Sequence, residues 1–151
     1  MATNRPRPGS QVPIRLRSFP ELSGCIVIID DDLEFRETFR EVLELAGFEV
    51  VAVENGVAAL VVLEQHAVSM VITDILMPGM DGIDVIHSIR RHNPSIKVIA
   101  VSGGDGARGS PSLTMASQVG ADRVLKKPFG AHDLIATVRE LLDAPPPVDG
   151  S

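Results

Sequence analysis

Four short apolar runs in this chain each end in a polar group that can do chemistry. CIVII is followed by Asp30, Asp31 and Asp32, SMVIT by Asp74, KVIAV by Ser102, and RVL by Lys126 and Lys127 ahead of Pro128 and Phe129. Carboxylates brought together repel one another and raise one another's pKa unless a cation neutralises them. A hard divalent ion such as Mg2+ meets that need, since it takes one or two carboxylates, keeps several waters and tolerates a phosphate ligand. With a lysine as a point charge and a serine hydroxyl added, the set is equipped to hold a phosphoryl group.

These groups meet only if the runs that carry them lie side by side. Each run is followed by a segment with helical spacing, and five such pairs can be counted. CIVII (Cys25 to Ile29) precedes Phe35, Phe39, Val42, Leu43 and Ala46, with Gly47 as a stop. FEVVAV (Phe48 to Val53) precedes Val57 to His66, a segment so apolar that much of its circumference should be buried. SMVIT (Ser69 to Thr73) precedes Gly82 to His92, and KVIAVS (Lys97 to Ser102) precedes a Gly-rich loop and a helix from about Pro111 to Val119. RVLK (Arg123 to Lys126) precedes a helix marked by Leu134, Ile135, Val138, Leu141 and Leu142. Fully apolar strands alternating with helices predict a parallel sheet covered on both faces, an α/β three-layer doubly wound fold. Such sheets bind ligands outside the carboxyl ends of their strands, where all four polar groups fall.

Composition narrows the function classes. At 151 residues the chain has room for one ordinary domain. Residues 1–22, with Pro6, Pro8, Pro13 and Pro20, read as a flexible basic arm, 23–143 as the domain, and 144–151 as a flexible tail. The net charge is −6, but residues 1–20 carry Arg5, Arg7, Arg15 and Arg17 and no acid, leaving 10 basic against 20 acidic residues in the remainder. A body that acidic repels phosphate backbones, and without Trp or Tyr it has little with which to stack on bases, so no direct DNA binding is expected. One cysteine and no apolar stretch near the roughly 20 residues of a membrane span point to a cytoplasmic protein away from the membrane.

The acidic pair after the first apolar run in IIDDD, the acid opening VITDILMPGMDG, the hydroxyl of VIAVSGG and the lysine of LKKPF occur in one order over roughly Cys25 to Asp143. Together they resemble the receiver domain of bacterial two-component response regulators. The resemblance implies a flavodoxin-like five-stranded sheet in the order 2-1-3-4-5. It implies Asp74 as the phosphoacceptor, with Mg2+ held by Asp31, by Asp30 through water, by Asp74 and by the Leu76 carbonyl. Lys127 would pair with a phosphoryl oxygen and Ser102 would donate its hydroxyl to another. The implied partners are a sensor histidine kinase or histidine phosphotransfer protein and a downstream effector protein, and a stand-alone receiver of this size would be a monomer or a phosphorylation-dependent dimer. At most it would catalyse its own phosphorylation and slow self-dephosphorylation.

Two departures from the family pattern stand out. The position in the last strand that usually carries an aromatic is Val124, so output is expected to run through the loop that begins at Gly103 and Gly104. Leu76 and Gly104, each two residues beyond a site residue, offer no group to orient an attacking water, which predicts a long-lived phosphoryl adduct. Two rival readings use the same residue types. A haloacid-dehalogenase-like phosphatase would need a DxDxT sequence after the first strand, and Asp30 to Glu34 lacks the Thr. A degenerate receiver acting as a constitutive binding module would not need the full set of acids, hydroxyl and lysine. Gly104, Gly106 and Gly109 are spaced as a dinucleotide fingerprint, but they follow the fourth strand and no acid ends the next one. The four histidines lack ligand spacing, Lys126 reads as solvated, and Asp32 reads as a helix cap.

Overall fold

A computed structural model of the chain describes residues 24–75, 82–102 and 120–143. Within them the strands are β1 (Cys25–Ile29), β2 (Val50–Val53), β3 (Val68–Asp74), β4 (Lys97–Ser102) and β5 (Arg123–Lys126). The helices are α1 (Leu33–Leu45), α2 (Gly56–Gln65), α3 (Gly82–His92) and α4 (Ala131–Asp143). The expected helix over 111–119 lies outside the described residues. All neighbouring strands pair in parallel, in the order β2-β1-β3-β4-β5.

Successive strand side chains point to opposite faces, and here both faces are buried. Val27 and Ile29 join Val71, Val98 and Ala100 under α2 and α3, with Ala59, Val85, Ile86 and Ile89 supplying the helix side. Ile26 and Ile28 join Met70, Ile72, Ile99 and Val101 under α1 and α4, which contribute Leu43, Leu134, Val138 and Leu141. That two-sided burial explains why β1 shows no alternation of apolar and polar residues. Cys25 lies within the first of these clusters, and burial pushes its thiol pKa up, so it serves as an inert packing group.

Local chemistry sets the helix ends. Asp32 caps α1, its side chain accepting from the backbone N–H of Glu34 and Phe35, and Asn55 caps α2 by accepting from Ala58. Gly47, just past α1, takes φ +102°, which a side chain would resist. β2 begins at Val50 and not Phe48, because the Phe48 N–H is spent on the Leu43 carbonyl. β3 extends through Asp74, one residue beyond the expected end.

The expected burial of α2 is corrected. Only Gly56 and Ala59 are fully buried there, while Val57 is 62% and Val61 47% exposed. The helix sits on the sheet through Gly56 and Ala59, with Val62 and Leu63 half-buried beside them, and no element among those described covers its outer side.

The base of the sheet is held by one arginine. Arg90, near the end of α3, donates from Nε and Nη2 to the Gly120 carbonyl at 3.0 and 2.7 Å. Its Nη1 reaches the Pro94 and Ile96 carbonyls at 2.9 and 2.6 Å, and Nη2 pairs with Asp122 Oδ2 at 2.7 Å. Asp122 Oδ2 in turn accepts from the Val98 N–H at 2.8 Å. Lysine can keep the charge but not this fork of donors. Arg90→Lys should therefore lower unfolding stability by about 1–3 kcal/mol in a urea titration. The clamp lies at the end of the sheet away from Asp74, so a phosphoryl adduct on that residue should form in the variant as in the parent chain.

Candidate functional site

Strand register brings the polar groups together. Ile29 lies opposite Thr73, so Asp30 follows beside Asp74, and Asp74 itself lies opposite Val101. Ser102 lies opposite Lys126, with the Lys127 N–H donating to the Ser102 carbonyl at 3.0 Å. Asp30, Asp74 and Ser102 are buried at 1%, 7% and 5% exposure, and Asp31 is open to solvent. Carboxylate oxygens of Asp30, Asp31 and Asp74 lie within 4.8 Å of one another.

Each acid is held by its neighbours. Asp30 Oδ1 accepts from the Asp32 N–H at 2.9 Å and Oδ2 meets Lys127 Nζ at 3.1 Å, while Arg36 Nη1 donates to the Asp30 carbonyl at 2.8 Å. Both oxygens of this buried carboxylate are therefore engaged. Lys127 Nζ also lies 3.6 Å from Asp74 Oδ2, so one cation serves two acids. A third acid, Asp31, remains, and among the described residues the three carboxylates share this lysine in a cluster open to solvent on the Asp31 side. Its oxygen donors and spacing suit a hard divalent cation, which would supply the missing positive charge.

The backbone of Asp74 is fixed from two sides. The buried Thr73 hydroxyl donates to the Asp74 carbonyl at 2.9 Å. Gly82, the first residue of α3, packs so close that a Cβ there would sit 2.2 Å from that carbonyl oxygen and 2.6 Å from Ile75 Cα. Its N–H donates to the Ile75 carbonyl at 2.9 Å. The start of α3 is thus pressed onto the strand end that presents Asp74.

The structure unites Asp30, Asp31, Asp74 and Lys127, and places Ser102 at the neighbouring strand end. Leu76, Gly103 and Gly104 lie outside the described residues. Val124 is half-buried and packs against the cluster beneath α2 and α3. Lys126 is exposed. Four contributors were not singled out from the sequence: Phe35, Arg36, Thr73 and Gly82. Only Gly82 left a signal, as the last residue of the MPGMDG turn. Phe35 acts through a distant neighbour, Lys127, while Arg36 and Thr73 bond backbone carbonyls nearby in the chain, contacts that their residue types alone do not announce.

The arrangement matches known proteins. A family model for the response regulator receiver domain matches residues 26–139. The response regulator MprA of Mycobacterium sp. (strain KMS) is 32% identical over 126 residues, which are 83% of this chain and 53% of that protein. The C4-dicarboxylate transport transcriptional regulatory protein DctD of Rhizobium meliloti (strain 1021) is 37% identical over 115 residues, 76% of this chain and 24% of that protein. The chain thus spans only part of the length of these relatives. Among solved structures, the receiver domain of NtrX from Brucella abortus superposes with a TM-score of 0.73 at 25% identity, covering 80% of this chain and 99% of that one. A CheY-like receiver domain protein from Methanospirillum hungatei JF-1 gives 0.74 at 27% identity, covering 80% and 94%.

Proposed function

The chain belongs to the response regulator receiver domain family, and on that footing we propose that it is the phosphoacceptor of a two-component or phosphorelay system. Asp74 takes a phosphoryl group from a phosphohistidine. The observation that carries this reading is the lysine at 3.1 Å from Asp30 and 3.6 Å from Asp74, set against a trio of acids whose carboxylate oxygens lie within 4.8 Å of one another.

An Asp74 carboxylate oxygen forms the new O–P bond as the P–N bond to the donor imidazole breaks, the electron pair and a proton going to the imidazole nitrogen. The transfer needs little beyond positioning and charge neutralisation. Lys127 stands where it can meet an oxygen of the arriving group, and Ser102 can donate its hydroxyl to another. Mg2+, when bound, neutralises charge shared by the acids and the phosphoryl oxygens. Asp31, the exposed member, and Asp74 would hold it with the Leu76 carbonyl. Asp30, whose two oxygens already carry hydrogen bonds, would contribute through water.

The donor is a sensor histidine kinase or histidine phosphotransfer protein. The phosphorylated form signals to a partner protein, with the Gly103 to Ser112 segment carrying the change because Val124 has no ring to swing. The acidic body does not itself bind DNA. Among the described residues no helix is long and apolar enough to cross a membrane, and the single cysteine is what a reducing, cytoplasmic site of action would suit.

The test is incubation with acetyl phosphate and Mg2+ followed by intact-mass spectrometry. A gain of one phosphoryl group supports the reading, turnover of phosphate esters without an adduct would favour a phosphatase, and neither would favour a constitutive binding module. With no polar side chain at Leu76 the adduct should be long-lived, and Leu76→Asn should shorten its lifetime by about tenfold or more.

A further inference from the structure

Besides the two acids, Lys127 Nζ has an aromatic ring as a neighbour. Lys127 Nζ lies 4.0 Å from the centroid of the Phe35 ring, within the distance at which a cation is attracted by the negative face of the π system. The ring is held in turn. Phe35 packs on Phe39 with centroids 4.6 Å apart and meets Phe129 edge-on at 5.9 Å, and Phe39 and Phe129 are 5.3 Å apart. Phe129 stands two residues beyond Lys127 in the same loop, so this aromatic group braces both the ring and the segment that carries the lysine. The backbone of Phe35 is tied as well, because its N–H donates to the capping carboxylate of Asp32.

A lysine on a four-carbon stem loses considerable rotamer freedom when its ammonium is confined. Asp30 and Asp74 attract the charge at 3.1 and 3.6 Å, but Asp74 is also the residue on which the phosphoryl group would arrive. Once that group and a divalent ion share the acids, the pull of the acids on Nζ is divided. The ring face is the contact that such a change leaves untouched.

We propose that Phe35 is a positioning residue for Lys127, holding Nζ in place before, during and after phosphoryl transfer. This rests on the reading of Asp74 as phosphoacceptor, but the placement of the lysine can be measured without it. In the full chain, 13C relaxation at Lys127 Cε reports how firmly the side chain is held, with exposed Lys126 as the internal reference. Phe35→Leu should bring the Lys127 Cε order parameter close to that of Lys126, and Phe35→Tyr, which keeps the ring, should restore it. Phe39→Leu weakens the same aromatic cluster yet leaves the ring under Nζ, and should leave Lys127 ordered at comparable thermal stability. If Phe35→Leu does not fold, Phe35→Met provides the same comparison. In the same variants, the adduct-forming rate with acetyl phosphate and Mg2+ should fall about tenfold for Phe35→Leu and stay near the parent value for Phe35→Tyr. Unchanged Lys127 order in Phe35→Leu overturns the proposal. Changed order with no adduct on any variant, the parent chain included, overturns the phosphoacceptor reading and leaves the positioning role standing.

Discussion

Asp74→Asn should abolish the phosphoryl adduct completely while leaving the circular dichroism spectrum of the chain unchanged. The substitution alters one oxygen for one nitrogen at the end of β3, where the backbone is fixed by the Thr73 hydroxyl and by the strand pairing with β4. An amide is a far weaker nucleophile than a carboxylate, so the loss is one of chemistry and not of shape. Lys127 keeps its 3.1 Å contact with Asp30, so its ammonium is not left stranded. The neighbouring acids Asp30 and Asp31 remain, which makes the comparison strict. If phosphorylation were a general property of a negative cluster, Asp74→Asn would still gain mass from acetyl phosphate, and the assignment of the acceptor would fall. Peptide mapping of the parent chain after borohydride reduction should find the modified residue at position 74.

Gly82→Ala should unsettle the site without touching any reacting group. A methyl there would lie 2.2 Å from the Asp74 carbonyl oxygen and 2.6 Å from Ile75 Cα, closer than atoms can approach, and both neighbours are backbone. α3 must therefore move off the strand end, against the packing of Val85, Ile86 and Ile89, each at most 1% exposed in the core. Forced overpacking of this kind costs about 1–3 kcal/mol, and urea titration should place Gly82→Ala near the upper end of that range. Because the strained carbonyl belongs to Asp74, adduct formation should slow by at least about tenfold even at temperatures where the variant is fully folded. Parent-like stability and phosphorylation together would mean that α3 slides freely, and that its start does not position Asp74.

Much of this was legible in the chain. The strands, four to seven residues long, are built around short apolar runs, and the helices repeat apolar side chains at helical spacing, because each element must bury a face whatever its neighbours are. Asp32 reads as a cap and caps α1, since that role depends only on N–H groups two and three residues on. α2 shows the limit. Its composition is apolar on every side, yet whether Val57 and Val61 are covered depends on what packs outside them, which no local pattern records.

The candidate site divides along the same line. The chain itself dictated that acids, a serine and a lysine stand at strand ends, because the alternation of strand and helix leaves parallel strands whose carboxyl ends share one edge. The register, which pairs Ile29 with Thr73 and Asp74 with Val101, turned that shared edge into carboxylate oxygens within 4.8 Å of one another. The Phe35 ring beneath Lys127, the Arg36 contact to the Asp30 carbonyl, the close approach of Gly82 to Asp74 and the Arg90 clamp came only with the packed fold. Lys127 and Asp30 are 97 residues apart and Arg90 and Asp122 are 32 apart. Contacts over such separations are set by how helices seat on the twisted sheet, an outcome of all the side chains packed together and not of any one segment.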